Sequence, residues 1–328
     1  MPNEAKTFSN NGNNSLPLVL VNPKSAGGST ELRWAKTASD LRTHFGAFNV
    51  EFTRKPGDGI ELAKAASKSG RRFIIACGGD GTINEVANGI LQSGEAVELG
   101  ILPSGTGGDF RRSLGIAQTA REAARDLREG ATRLIDVGKV TFFNRQNEQV
   151  SRYFLNVSSF GLSAAINERV KKYNKFGWLP GATIRGKASF AISTLQEVLE
   201  TEFTTVRVKI DEAEERLLNT INFCIANARY FGGGMKIAPN AQINDGFLDV
   251  VNIGDIKLRK ILLNAYKLYN GTHLDLEEVK STRATRIEVS PSNKNQKIFI
   301  ETDGELPGRL PAIYEIVPNA LKVRVPKQ

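Results

Sequence analysis

Short apolar runs alternate with helix-like segments from about residue 17 to residue 139. The apolar runs are LPLVLV, VEF, RFIIA and ELGIL. The segments between them, residues 30–45, ELAKAASKS and TINEVANGILQ, have the spacing and composition of helices. Buried strands separated by helices are typical of a parallel sheet covered on both faces. The pattern therefore predicts an α/β domain whose ligands bind beyond the carboxyl ends of the strands.

The pattern changes to apolar–polar alternation in residues 140–328. TTVRVKI, KIFIET and LKVRV alternate, and TINFCIAN and FLDVVNI are further predicted strands. Three helices are predicted in this half, at Ser163–Tyr173, Lys187–Glu200 and Lys257–Tyr269. We therefore expect an antiparallel β domain here. Residues 1–16 are rich in Asn and poor in apolar side chains, which predicts a flexible tail.

The composition is that of a globular protein. The chain has 328 residues, 40% of them hydrophobic, so it can bury a sizeable core. No apolar run approaches the roughly 20 residues of a membrane-spanning helix, and we expect a soluble protein. Cys77 and Cys224 lie in apolar runs, which favours buried thiols in a reducing cytoplasm over a disulfide.

Histidine is too scarce for several kinds of catalytic site. Only His44 and His273 are present, so a multi-histidine metal site is excluded and a Ser-His-Asp triad is disfavoured. A general base is therefore expected to be a carboxylate. The net charge of +9, from 44 Lys and Arg against 35 Asp and Glu, favours an anionic partner such as nucleic acid, membrane or nucleotide. No basic block with interleaved aromatic residues marks a nucleic-acid module, so we expect no nucleic-acid partner.

Three glycine-rich loops follow predicted strands: NPKSAGG, CGGDGTINEV and LPSGTGGDF. Glycines at a helix N-terminus leave backbone N–H groups open to an anion such as phosphate. Asp80 would repel a phosphate unless a divalent cation lay between them, as in a Mg-nucleotide site. The alternative is that Asp80 or Thr82 caps the helix. Three such loops at one sheet edge favour phosphate binding.

These loops belong to a longer series of motifs. The series is NPKSAGG, GGDGTINEVANG, LPSGTGGDF, LIDVGKV, FGLSAAI, GGGMKIAPNAQINDGFLDVV and ETDGELPG, over roughly residues 17–326. With these motifs in this order, the chain resembles the diacylglycerol kinase catalytic domain family of soluble bacterial lipid kinases, which is related to sphingosine and ceramide kinases. The resemblance implies an NAD-kinase-like α/β domain at residues 17–139 and a β-sandwich lipid-acceptor domain at residues 140–328.

The resemblance also implies an activity and its cofactors. It implies transfer of the γ-phosphate of Mg-ATP to a lipid hydroxyl, with ATP and Mg²⁺ as cofactors and diacylglycerol as the first choice of acceptor. A sphingoid base, ceramide or another lipid alcohol is the alternative acceptor, since apolar shape and not a motif selects it. The alternative from a different class of function is a regulator that binds lipid or nucleotide and has no catalytic activity.

The family's nucleotide-binding positions correspond to residues of the first half. They are Asn22, Pro23, Lys24, Ser25, Ala26, Thr53, Gly78, Gly79, Asp80, Gly81, Thr82, Ile83, Asn84 and Thr106. Asp80 and Asp109 match carboxylates associated with Mg-ATP and catalysis. Gly108 stands where the family usually has asparagine, so one amide that could orient ATP or metal-bound water is missing.

Two acidic motifs of the second half also have family counterparts. Glu305 matches the family residue that accepts a proton, and Asp303 is its neighbour or alternate. Without the resemblance, Asp303-Gly304 is a good hairpin turn. The resemblance places a structural Mg²⁺ at the Asp245 carboxylate and the main-chain carbonyls of Gln242 and Phe247. Asp136 is expected in the water network nearby.

A basic segment suggests how a soluble kinase reaches a lipid. Residues 169–187 contain six basic residues and no acidic ones around Phe176 and Trp178, which suits a membrane interface. The alternative is a solvated helix end with Trp178 in the core. We expect a cytoplasmic protein that associates peripherally with anionic lipid. The oligomeric state is left open, with a homodimer as one option.

Overall fold

A parallel sheet occupies the first half of the chain in the computed structural model, which describes residues 15–104, 108–175 and 203–327. Its strands are β1 (Leu18–Val21), β2 (Asn49–Phe52), β3 (Phe73–Gly78) and β4 (Glu98–Pro103), in the spatial order β2-β1-β3-β4. Its helices are α1 (Ser29–His44), α2 (Asp58–Lys68), α3 (Asp80–Ser93), α4 (Asp109–Leu114) and α5 (Ala120–Glu129). Helix α2 packs on α3, and α1 packs on α5.

The apolar runs of β1, β3 and β4 are buried because helices exclude water from this part of the sheet, whereas β2, at the edge, is largely exposed. Every residue of β1 is buried, and so is β3 after its first residue. Each fully buried Leu or Ile side chain contributes about 1.5–3 kcal/mol. The predicted α/β domain is confirmed.

The second half contains two antiparallel layers. Its strands are β5 (Ala131–Phe143), β6 (Gln149–Phe154), β7 (Val157–Gly161), β8 (Thr204–Ile210), β9 (Arg216–Thr220), β10 (Asn222–Ala226), β11 (Leu248–Ile253), β12 (Val279–Ala284), β13 (Arg286–Pro291), β14 (Phe299–Thr302) and β15 (Glu305–Val325). Its helices are α6 (Leu162–Lys175), α7 (Leu258–Asn264) and α8 (Lys267–Asn270). One layer has the order β12-β11-β10-β7-β14-β15, and the other has the order β9-β8-β13-β15-β5-β6.

A single apolar cluster fills the space between these layers. Phe160 and Phe223 stack with ring centroids 5.1 Å apart, and Phe154 meets Tyr314 edge-on at 6.4 Å. The four rings come from β6, β7, β10 and β15, so both layers contribute to one core. The expected β-sandwich is confirmed.

Strand β15 belongs to both halves of the molecule. Its last residues pair in parallel with β4, through Lys322 opposite Glu98 and Val323 opposite Leu99. Leu321, Val323 and Val325 consequently lie in the core of the first half. LKVRV is a strand that pairs antiparallel with β5, as expected, but its second pairing with β4 was not predicted, because alternation marks a half-buried strand and not its partners. Strand β5 also runs across the domain boundary predicted at residues 139–140.

The predicted helix Lys257–Tyr269 is interrupted. Its two parts, α7 and α8, are separated because the N–H groups of Leu268 and Tyr269 donate to carbonyls only three residues earlier. The predicted helix Lys187–Glu200 and the first fourteen residues of the predicted tail lie outside the described residues. Within the described ranges, no helix is both long and apolar enough to cross a membrane. Cys77 and Cys224 are buried and unbridged, as expected.

Candidate active site

The first two glycine-rich loops are tied together at the carboxyl edge of the parallel sheet. Asn22 Nδ2 donates to Thr82 Oγ1 at 3.1 Å, and Ser25 Oγ accepts the N–H of Gly79 at 3.0 Å. Thr53, beyond β2, donates its N–H to the carbonyl of Val21 at 2.9 Å. These contacts bring predicted nucleotide-binding residues from three separate loops to one place.

The shape of these loops requires glycine or tight backbone turns. Ala26 has a φ of 53°, and the next two glycines are also left-handed. A Cβ on Gly78 would lie 2.4 Å from Thr82 Oγ1, so no larger residue fits. Helix α3 then begins at Asp80, and its first N–H groups have no partner within the helix. Such a helix start suits an anion.

The side chain of Asp80 holds the third loop. Its carboxylate accepts the N–H groups of Gly108, Asp109 and Phe110, at 2.9, 3.1 and 3.2 Å. The alternative that Asp80 caps its own helix was wrong, because α3 begins after Gly79 without a side-chain cap. Asp80 instead orders the start of α4. Its partner Asp109 lies 29 positions later in the chain.

Asp109 is buried beside Asp80 and has two further partners. It accepts a hydrogen bond from Arg112 at 2.7 Å and one from the N–H of Gly233 at 2.8 Å. Burial and the nearby Asp80 raise the pKa of the Asp109 carboxyl. Arg111 is also close enough to interact electrostatically with Asp80 and Asp109, so two arginines face the two carboxylates. Carboxylate oxygens are ligands that Mg²⁺ accepts, so Asp80 and Asp109 are the side chains here that could hold it.

The Asp303-Gly304 turn faces the same region from the second half. Both residues have positive φ, 46° and 87°, as in a tight hairpin, so the turn interpretation is correct. The Asp303 carboxylate also accepts the N–H groups of Leu155, Asn156 and Val157, at 2.7, 3.0 and 3.1 Å.

A fourth donor links Asp303 to the α/β domain. Asn84 Nδ2, on α3, donates to its carboxylate at 2.8 Å. Burial raises the pKa of Asp303 to about 6, and the four hydrogen bonds oppose this shift. Because both of its oxygens are occupied, Asp303 is suited to positioning and poorly suited to accepting a proton from substrate. Asn84, predicted to bind the cofactor, joins the two halves of the site here.

Two glutamates flank this turn and differ in environment. Glu305 is exposed at the start of β15. Glu301 is buried and accepts hydrogen bonds from Ser159 Oγ, at 2.6 Å, and from the Gly304 N–H. Sequence reasoning missed Glu301, although its position two residues before the motif DGE was a usable signal.

An apolar cavity of about 560 Å³ opens between these groups. Its acidic end is formed by Asp80, Asp109, Glu301 and Asp303. Its other walls are mostly Ile, Leu and Val side chains from β7, β11, β12, α6–α8 and nearby loops. Asn156 also lines it, and among the described residues its buried Oδ1 has no hydrogen-bond partner. An apolar tail can therefore occupy the cavity while a polar group meets the carboxylates.

The predicted structural metal site lies apart, around Asp245. Its carboxylate pairs with Arg283 at 2.5 Å and accepts the Phe247 N–H at 3.1 Å. Asp249 lies nearby, and burial and then the charge of Asp245 raise its pKa to about 6. Two carboxylates against one arginine leave this site short of positive charge, so its residues fit a cation.

The other predicted ligands of this site contribute no side-chain charge. Gln242 and Phe247 would supply only main-chain carbonyls, and both side chains are exposed. Asp136 accepts the N–H groups of Gly246 and Asn319, at 2.7 and 2.8 Å, and so holds the loop to β15. Across the described ranges, no group of three or more His, Cys, Asp or Glu side chains forms a metal cluster. The proposed site needs only one carboxylate.

Some predicted residues contribute little or cannot be placed. Ile83 is buried in the core, which leaves only its backbone for a ligand. Gly81 is exposed at the start of α3, and the N–H of Lys24 donates to Asn22 Oδ1. Thr106 lies outside the described residues, as does most of the predicted membrane segment 169–187.

Comparison with known proteins agrees with this architecture. The diacylglycerol kinase catalytic domain matches residues 17–140, and the YegS C-terminal NAD kinase beta sandwich-like domain matches residues 156–325. A diacylglycerol kinase of Mycobacterium tuberculosis is 29% identical over 94% of both chains. A diacylglycerol kinase of Bacillus subtilis is 29% identical over 83% of this chain and 84% of its own.

A solved structure shows the same fold. The crystal structure of a diacylglycerol kinase from Bacillus anthracis has a TM-score of 0.68 at 21% identity, covering 94% of this chain and 96% of that chain. Together with the cavity and loops, these matches define a lipid kinase. The chain belongs to the diacylglycerol kinase family.

Proposed function

We propose that this kinase transfers the γ-phosphate of Mg-ATP to the hydroxyl of diacylglycerol and forms phosphatidic acid. The observation that carries the proposal is the apolar cavity whose acidic end meets the glycine-rich loops. A cavity of about 560 Å³ is within the range of small-molecule sites and suits an acyl chain.

The nucleotide is proposed to bind at the joined loops. The helix start at Asp80 and the left-handed backbone at Ala26 and Gly27 would present N–H groups to its phosphates. Bound Mg²⁺ would supply positive charge beside Asp80 and Asp109. Hydrogen bonds from three backbone N–H groups keep Asp80 oriented during turnover.

Glu305 is proposed as the general base. It accepts the proton of the lipid hydroxyl as that oxygen attacks the γ-phosphorus, and ADP leaves with the electrons of the broken P–O bond. Asp303 positions the turn that carries Glu305, through its four hydrogen bonds. Glu301, buried at the cavity wall, is the alternative base.

The acceptor and the cellular location are further parts of the proposal. Diacylglycerol is named because the relatives reported above carry the name diacylglycerol kinase. We also propose that the protein works at the surface of a membrane, where such an acceptor resides.

The decisive experiment offers one labelled nucleotide to several lipids. The protein is incubated with γ-labelled Mg-ATP and mixed micelles containing diacylglycerol, monoacylglycerol, ceramide, sphingosine or a polyprenol. We expect label in phosphatidic acid. Label in a different lipid would identify that lipid, and not diacylglycerol, as the acceptor. Label in no lipid, together with no ATP binding, would contradict the proposal.

Glu305→Gln is the matched variant for this assay. Because Glu305 is exposed, the change should leave the fold and ATP binding intact, while losing a general base typically lowers turnover by 10²–10⁴-fold. Glu301→Gln is measured beside it. Full turnover in Glu305→Gln with loss in Glu301→Gln would move the base to Glu301.

A further inference from the structure

Helices α7 and α8 expose large apolar side chains. Leu262, Leu263, Tyr266 and Tyr269 are 49%, 71%, 61% and 58% exposed. Concentrated apolar exposure of this kind typically marks a surface that meets a partner. We call these four residues the α7–α8 surface.

The α7–α8 surface is continuous with the wall of the cavity. Leu262 and Tyr269 line the cavity and are also exposed, whereas Leu263 and Tyr266 are exposed and do not line it. An apolar path therefore runs from the acidic end of the cavity to the outside of the molecule. A long-chain lipid could follow this path without exposing its tail to water.

The charge of this segment suits an anionic membrane. Residues 255–270 hold four basic residues and one acidic residue. Lys257 and Arg259 are exposed and make no ion pair among the described residues, and Arg259 lies one turn before Leu263. Tyrosines and aliphatic side chains beside basic residues are typical of membrane interfaces.

We infer that the α7–α8 surface docks on an anionic lipid bilayer and places the cavity mouth against it. This inference rests on the proposed function, since it assumes that the acceptor is a membrane lipid. A bilayer fits better than a second copy of the chain, because only a bilayer explains why the exposed surface opens into a lipid-sized cavity. Lys257 and Arg259 then meet the anionic headgroups, which attract basic residues near the surface.

The test variant is Leu263→Ser/Tyr266→Ser, because neither residue lines the cavity. Leu217→Ser, at an equally exposed leucine on β9, is the matched control. Flotation with vesicles of phosphatidylglycerol and phosphatidylcholine measures docking without reference to activity. We expect about tenfold weaker vesicle binding for the double variant and no change for the control.

Activity on two substrates separates docking from chemistry. The double variant should lose about tenfold activity on long-chain diacylglycerol in vesicles and keep activity on monomeric short-chain diacylglycerol. Unchanged vesicle binding in the double variant would overturn the inference. If the double variant keeps vesicle binding and also loses a dimer in sedimentation, the surface would instead be assigned to a second copy of the chain. If the unaltered protein binds vesicles through this surface but phosphorylates neither substrate, only the proposed function fails.

Discussion

The acidic side chains around the cavity differ in their hydrogen bonding and exposure. Asp80 and Asp303 each accept three backbone N–H groups, which stabilise a fixed carboxylate but leave it few free lone pairs. Glu305, in contrast, is exposed at the turn. This difference supports the proposal that the two aspartates position the site and that a glutamate accepts the proton.

Asp303→Asn should destabilise the protein. The amide has only one acceptor oxygen, so at least one N–H of residues 155–157 would face an NH₂ group, at a cost of about 1–3 kcal/mol. Urea unfolding measures this change. Asp255→Asn is the control, because Asp255 is exposed and has no hydrogen bond among the described residues. Equal stability of both variants would show that the Asp303 carboxylate is not a structural support.

Asp249→Asn should stabilise the protein most at neutral and alkaline pH. The folded-state pKa of Asp249 is about 6, above its unfolded value of about 3.9, so the folded protein holds a proton that the unfolded chain releases between these values. The contribution of Asp249 to stability therefore falls as pH rises through this window. The melting-temperature difference between variant and wild type should grow from pH 4.5 to pH 7.5.

Adding Mg²⁺ tests the neighbouring cation site at Asp245 in the same melting experiment. If the cation binds at Asp245, it should raise the wild-type melting temperature at pH 7.5 and have less effect in Asp245→Asn. A difference between Asp249→Asn and wild type that is constant with pH would contradict the raised pKa.

At the scale of elements, β15 connects the two cores. Its middle, at Leu310, Ala312 and Tyr314, lies in the sandwich, while its end lies in the α/β core. A strand shared in this way transmits instability from one core to the other. The two halves are therefore expected to unfold together.

Val323→Ala tests this coupling. Removing two methyl groups from the fully buried Val323 should cost about 2 kcal/mol. Hydrogen exchange should speed up to a similar extent in β3 and in β10, although only β3 lies in the altered core. Val50→Ala, on the exposed edge strand β2, should have little effect. Faster exchange confined to the first half would show that the cores unfold separately.

At the scale of the whole molecule, the net charge of +9 acts at longer range than any contact. An anionic bilayer would attract such a protein, and the inferred docking through the apolar α7–α8 surface would then set its orientation. The two contributions respond differently to salt.

Vesicle binding should weaken with salt without disappearing. Raising the ionic strength from 0.1 M to 1 M shortens the Debye length from about 10 Å to about 3 Å and screens the charge, while burial of Leu263 and Tyr266 persists. Flotation at both salt concentrations measures the two contributions. Leu263→Ser/Tyr266→Ser should lose the salt-resistant part. Binding that vanishes completely at 1 M for the wild type would assign docking to charge alone.

The sequence by itself determined the local features of this protein. Continuous apolar runs predicted strands buried on both faces, and alternation predicted the strands of the sandwich, because side-chain periodicity is set by the element itself. The loops around Ala26 and Gly78 were also readable, since their backbone geometry demands small residues. The motif order then indicated the family.

Only the tertiary structure decided how distant residues meet. Asn84 and Asp303 are 219 positions apart, and no local pattern pairs them. The same holds for Asp245 with Arg283, and for the end of β15 beside β4. The cavity likewise takes its acidic end from both halves of the chain. Such contacts depend on how complete elements pack, and periodicity within one element carries no information about the partner on the far side of the core.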